Sequence, residues 1–184
     1  MSIDRTRLAA IDRFLDEAYV KAGRLPGTLL RVVHRGELVH ENVQGHADIA
    51  QGRPLATDSI FRIYSMTKPI TSVALMMLVE DGRLQIDDPV HKYIPQWKNL
   101  GVYQGGTLKT GFLTTPPSRP MLVIDLLRHT AGLTYGFQLN TNVDAAYRQL
   151  HIGAIEKTDV TLEGMIDLLA QVPDLPAGPA YDLG

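Results

Sequence analysis

Cysteine is absent from all 184 residues, which removes disulfides, thiolate metal sites and a cysteine nucleophile together. No apolar run reaches the ~18 residues of a membrane-spanning helix, so no membrane association is expected. The opening Met1-Ser2-Ile3-Asp4-Arg5-Thr6-Arg7 lacks the apolar core of a secretory signal, and a soluble, cytoplasmic chain is the expectation. An excess of one charge is missing as well. Eighteen basic against 20 acidic residues leave a net charge of −2, with no electrostatic pull toward nucleic acid. No Gly-x-Ser-x-Gly occurs, which argues against the nucleophile elbow of an α/β-hydrolase. His40-Glu41 is followed by Gln44 where a zincin needs its second histidine. His34, His40 and His46 also lack metal-ligand spacing and are read as structural.

Hydrophobic residues make up 45% of the chain, enough to bury a sizeable core. From residue 4 to 22, Leu8, Ile11, Phe14, Leu15, Ala18, Tyr19 and Ala22 recur at helical spacing. Gly23 follows as a left-handed stop and Pro26-Gly27 as a turn, while Arg5, Arg7 and Arg13 read as a solvated face. Thr28–His34 and Leu38–Gln44, β-branched-rich runs around Arg35-Gly36-Glu37, predict a hairpin. Ser65–Asp81 is apolar nearly all round, which predicts a helix buried on most sides, with Met76-Met77 as core filling and Gly82 as its end. Asp87-Asp88-Pro89 reads as a turn, and residues 95 to 120 as irregular chain or short hairpins. Short helices fit Leu122–Arg128, Val143–Gln149 and Leu162–Gln171. A single hairpin makes a marginal sheet, so further strands are expected beyond this chain.

Ser65-Met66-Thr67-Lys68 carries the chemistry. Residues three apart share a helix face, so the hydroxyl and the amine can meet. A serine in the first turn also places its own N–H among the unpaired helix donors. Those donors stabilise the oxyanion formed when a hydroxyl attacks a carbonyl. Lysine is electrostatically out of place at the positive end of a helix, and burial there would favour the uncharged amine that a base requires. With five serines and six lysines in 184 residues, about 0.16 chance matches to Ser-x-x-Lys arise, so the flanking sequence decides.

Phe61-Arg62-Ile63-Tyr64-Ser65-Met66-Thr67-Lys68-Pro69-Ile70-Thr71 resembles the nucleophile segment of the class C β-lactamase superfamily, most closely its family VIII esterase branch. The resemblance continues through Leu78-Val79-Glu80-Asp81-Gly82-Arg83-Leu84 and Asp87-Asp88-Pro89-Val90, and again at Asp125-Leu126-Leu127-Arg128-His129-Thr130-Ala131-Gly132-Leu133-Thr134-Tyr135. It implies an α+β, serine β-lactamase/transpeptidase-like fold, in which an antiparallel sheet flanked by helices meets a helical domain at the Ser-x-x-Lys helix. Residues 1–60 would supply the first part of the sheet domain, as a helix plus β-hairpin. Residues 61–184 would form the Ser-x-x-Lys helix and a mostly helical domain, with the remaining C-terminal strands absent from this chain.

The resemblance further implies a serine carboxylesterase acting on small, short-chain acyl esters through an acyl-enzyme, with no metal or organic cofactor. By matching position Ser65 would be the nucleophile, Lys68 its activating or orienting partner and Tyr181 the candidate third member, 113 positions after Lys68. The family approaches its tyrosine as Pro-Gly-Thr-x-Trp-x-Tyr-Ser, whereas this chain reads Pro176-Ala177-Gly178-Pro179-Ala180-Tyr181-Asp182. Lys109-Thr110-Gly111 spells a family motif but precedes Tyr181, and is read as a loop coincidence. The family strand bearing Lys-Thr-Gly or Trp-Gly-Gly has no counterpart before Gly184. His129 is read as a loop brace, and Tyr64 and Tyr135 as packing or pocket-wall residues. The expected partner is a small-molecule ester or lactam. β-Lactamase or penicillin-binding-type acylation and acyl transfer are the neighbouring alternatives. A non-catalytic scaffold or a truncated, inactive fragment is the alternative of another class.

Overall fold

The computed structural model describes residues 4–154 and 159–176, and the chain divides into two units, Met1–Tyr64 and Ser65–Gly184. In the first unit Asp4 opens helix α1 (Arg5–Leu15) by accepting from the backbone N–H groups of Thr6 and Arg7, which satisfies first-turn donors. The helix widens into a π-helical turn at Asp16–Val20, a feature with no signal in the sequence. Gly23 then takes the left-handed conformation expected of a stop, at φ +68°.

Strands β1 (Gly27–His34) and β2 (Glu37–Asp48) form the expected hairpin. Arg35 and Gly36 both have positive φ, 52° and 84°. That pair of torsions gives the type I′ reversal whose twist suits two antiparallel strands. The register runs from Gly27 opposite Gly45 to Val32 opposite His40, with an irregularity between Val32 and Val33. β3 (Arg53–Pro54) adds a two-residue edge beside β2.

Because side chains alternate along a strand, the pairs Thr28/Gln44 and Val32/His40 share one face. This is the face on which α1 rests. There His40 Nε2 meets Asp12 Oδ1 at 2.8 Å, and Gln44 Nε2 donates to the Asp12 carbonyl at 3.0 Å. Arg31 and Glu41 pair on the opposite face. His40 is therefore structural, as the sequence suggests. Gly45, at φ +77°, has no room for a side chain, because an added Cβ would collide with the Pro26 carbonyl oxygen.

In the second unit, helix α2 (Thr67–Glu80) is followed by the hairpin of β4 (Val102–Thr107) and β5 (Gly111–Thr115) and by helices α3 (Val123–Leu127), α4 (Asn142–Gln149) and α5 (Leu162–Leu169). All three short helices lie where periodicity puts them. Two apolar clusters hold the unit. Val90, Trp97 and Val123 form one, with Leu75 of α2 packed against it, and Val143, Ala146, Tyr147, Val172 and Leu175 form the other. Two buried carboxylates fix the intervening loops. Asp125 takes a bidentate pair from Arg119, at 2.6 and 2.9 Å, and the Leu122 N–H at 2.9 Å. Asp144 accepts from Thr134 Oγ1, Asn140 N and Thr141 N, each at 2.8 Å. His129, at φ +58°, turns the chain out of α3 and its N–H donates to the Leu126 carbonyl. Its place is that of a loop brace.

The expected burial of the Ser65–Asp81 helix is corrected by the structure. No residue of α2 is buried. Leu75, Leu78 and Val79 are half-buried along one face, while Ile70 and Val73 are each 63% exposed. Met76 and Met77 are exposed too, so the described residues do not bury the pair as core filling. A helix that is apolar all round needs neighbours on every side, and the described residues supply them on one. Among the described residues no helix is long and apolar enough to cross a membrane.

Candidate active site

The chain enters α2 through a 3₁₀ turn at Tyr64–Met66. Pro69 is tolerated because it is the third residue of α2, where an N–H would have no partner within the helix. Ser65 stands two residues before the first residue of α2 and Lys68 is the second, which brings Lys68 Nζ to 3.0 Å from Ser65 Oγ. The amine donates to the hydroxyl oxygen. Among the described residues Lys68 enters no ion pair. The juxtaposition expected from the three-residue spacing is therefore present.

The burial expected around Lys68 is not. Both side chains are exposed, as are all residues from 61 to 70. The apolar content of the segment indicates a covered site, and the described residues do not cover it. Tyr181 lies outside the described residues.

The residue before the serine is unusual in a way the sequence does not announce. Tyr64 has φ +44°, a region that costs a non-glycine residue about 1–2 kcal/mol. Such torsions persist where the surroundings over-determine them, and they gather at functional sites. Nothing about a tyrosine signals it, since asparagine, aspartate and glycine are the usual occupants.

Lys109-Thr110-Gly111 lies at the reversal between β4 and β5. The Thr107 and Thr110 hydroxyls are 2.9 Å apart, and each also accepts the other residue's N–H. Gly111 supplies a φ of +84°. Turn construction accounts for the threonine and the glycine, in keeping with a loop coincidence. Tyr135 stacks on Phe137, with ring centroids 4.8 Å apart. A cleft of about 430 Å³ between β4 and α4 is lined by Tyr103, Asn142 and Arg148 among others, and includes neither Ser65 nor Lys68.

One titratable group escapes sequence reasoning altogether. Asp174 Oδ1 is buried with no hydrogen-bond partner among the described residues, and burial pushes its carboxyl up to about 7. Burial likewise pushes the nearby Tyr147 phenol up to about 12. At Asp125 the Arg119 guanidinium prevails and holds the carboxyl below its ordinary range. At Asp144 burial pushes upward, but the donors from Thr134, Asn140 and Thr141 outweigh it and the net direction is down.

A family model described as Beta-lactamase matches residues 11–180 of this chain. The chain is 38% identical over 149 residues to Protein Rv1367c of Mycobacterium tuberculosis, covering 80% of this chain and 36% of that protein. It is 34% identical over 175 residues to esterase EstB of Burkholderia gladioli, covering 94% of this chain and 41% of EstB. Among solved structures, EstCE1, described as a hydrolase with promiscuous acyltransferase activity, matches with a TM-score of 0.74 and 28% identity over 95% of this chain and 42% of its own. The chain thus spans about two fifths of the length of the relatives it matches.

Proposed function

Because the chain belongs to the beta-lactamase family and has the α+β, serine β-lactamase/transpeptidase-like fold, we propose that it serves a serine esterase that cleaves carboxylic esters of small, short acyl chains. The observation that carries this reading is the 3.0 Å approach of Lys68 Nζ to Ser65 Oγ at the start of α2. The likeness to EstB supports the choice of ester as substrate.

In this reaction Ser65 Oγ attacks the ester carbonyl carbon and its proton passes to the Lys68 amine. The negative charge that develops on the carbonyl oxygen faces the N–H of Ser65, a helix-start donor of the kind that stabilises such charge. Collapse of the tetrahedral species breaks the bond to the alcohol, which leaves with the proton. Water then attacks the acyl-Ser65 carbonyl, releasing the carboxylic acid and restoring the hydroxyl. Tyr181, by its matching position, would relay protons between the lysine and the leaving alcohol. Splitting one displacement into two is what an activated hydroxyl achieves.

Acyl transfer is the second reading, favoured by the likeness to EstCE1. It differs only in that an alcohol, rather than water, takes the acyl group from Ser65. Opening of a β-lactam would use the same first step.

A fluorophosphonate reagent followed by peptide mass spectrometry tests the proposal. The expected result is a label on the peptide carrying Ser65, abolished by Ser65→Ala and suppressed by Lys68→Ala. Folded protein that takes no label would instead identify a non-catalytic scaffold. Labelling unchanged by Lys68→Ala would remove the amine from the mechanism.

A further inference from the structure

Among the described residues, four helices have eight residues or more, and three of them begin alike. Asp4 before α1 (φ −82°), Thr141 before α4 (φ −136°) and Thr161 before α5 (φ −71°) are extended, and each side-chain oxygen accepts a first-turn N–H. Helix α2 departs from this pattern. Its cap position is Met66, already helical at φ −64° and ψ −14°, and no side chain caps it. Yet the residue just before Met66 is a serine, one of the residue types that cap helices best. A capping serine spends its hydroxyl oxygen on backbone N–H groups. Ser65 Oγ is instead 3.0 Å from Lys68 Nζ.

The departure begins at Tyr64. Its φ of +44° and the 3₁₀ turn of Tyr64–Met66 wind the chain before α2 starts. The cap position is then part of a turn, where the other helices have an extended residue. We propose that the left-handed backbone of Tyr64 positions Ser65, keeping its hydroxyl off the helix N-terminus and on Lys68. The ring is 66% exposed, so the torsion rather than the phenol carries the role. Tyr64 is a positioning residue that acts through Ser65. Its kinetic readout rests on the proposal that Ser65 is the nucleophile, while its geometric readout does not.

The test uses the full chain and four substitutions of Tyr64. Glycine and asparagine accept positive φ readily, whereas β-branched threonine and valine resist it most. Fluorophosphonate labelling of Ser65 is expected to stay within about twofold of the parent in Tyr64→Gly and Tyr64→Asn, and to slow about tenfold in Tyr64→Val. In the Tyr64→Val background Lys68→Ala should add nothing, although it slows the parent, because the two changes break the same contact. If the valine variant does not fold, the also β-branched Tyr64→Thr takes its place, with a slowing of about threefold expected. Glycine as slow as valine would assign the role to the ring and overturn the inference, as would valine at the parental rate. A parent that takes no label refutes the hydrolase reading alone. The positional inference is then decided by a crystal structure of Tyr64→Val. There Ser65 Oγ is expected beyond hydrogen-bonding distance of Lys68 Nζ, and a contact kept at 3.0 Å overturns it.

Discussion

Replacing Asp174 by asparagine should stabilise the protein, and by more as the pH rises. Asp174 lies on a segment stitched at three points: its N–H donates to the Gly101 carbonyl at 3.0 Å, its carbonyl accepts from Tyr103 at 2.8 Å, and Leu175 N–H donates to Gly132 at 2.8 Å. The backbone is satisfied but the carboxyl is not, since Oδ1 is buried without a partner among the described residues. Burial lifts its pKa from 3.8 to about 7. The folded protein therefore holds a proton that the unfolded chain releases over that window. An acid raised in this way contributes its full stability below the unfolded value, and loses it as the pH climbs toward the folded one. Each pH unit is worth about 1.4 kcal/mol, so about 4 kcal/mol is lost by neutrality. Asparagine keeps the shape and cannot ionise. Urea unfolding followed by the emission of Trp97, the one tryptophan of the chain and a member of the neighbouring apolar cluster, reads the effect. The gap between Asp174→Asn and the parent should widen by about 3 kcal/mol from about pH 5 to about pH 7.5. Taking the difference cancels the groups common to both proteins. A gap that does not change with pH would refute the reasoning.

Other consequences follow from the capping carboxylates and the turns. Asp144→Ala strands the Thr134 hydroxyl and the Asn140 and Thr141 N–H groups, and should cost about 3–5 kcal/mol in the same Trp97 assay. Because its carboxyl is held below the usual range, the Asp144 contribution is present above about pH 4 and fades in more acid solution, the reverse of Asp174. In the first unit, Gly45→Ala meets both a positive φ and the Pro26 carbonyl, whereas Gly36→Ala meets only the positive φ. Thermal melts should rank Gly45→Ala well below Gly36→Ala, which itself costs about 1 kcal/mol. Equal losses would show that the close approach carries no weight.

Features of the chain that depend on local order are readable from sequence. The α1 periodicity, the Arg35-Gly36 reversal and the three short helices each depend on residues within a few positions of one another, and each lies where the pattern puts it. The Ser65–Lys68 approach is equally local, because spacing on one helix face fixes it. Burial is a different matter. The composition of Ser65–Asp81 states what the helix needs and not what the described residues provide, so the burial it predicts is met only on the side of Leu75. The Tyr64 torsion is not legible because tyrosine has no preference that would signal it. Asp174 escaped because its environment is assembled from Gly101, Tyr103 and Gly132, more than 40 positions away in sequence.

The Asp12–His40 clasp joins residues 28 positions apart, whereas the Arg35-Gly36 reversal closes over two. Short loops close at lower entropic cost than long ones, and an isolated hairpin forms in roughly 1–10 μs. The order of assembly in the first unit follows from those two spans. On that basis the ribbon of β1 and β2 is expected to zip up before the clasp engages, because the imidazole that α1 docks against is in place only after the ribbon has found its register.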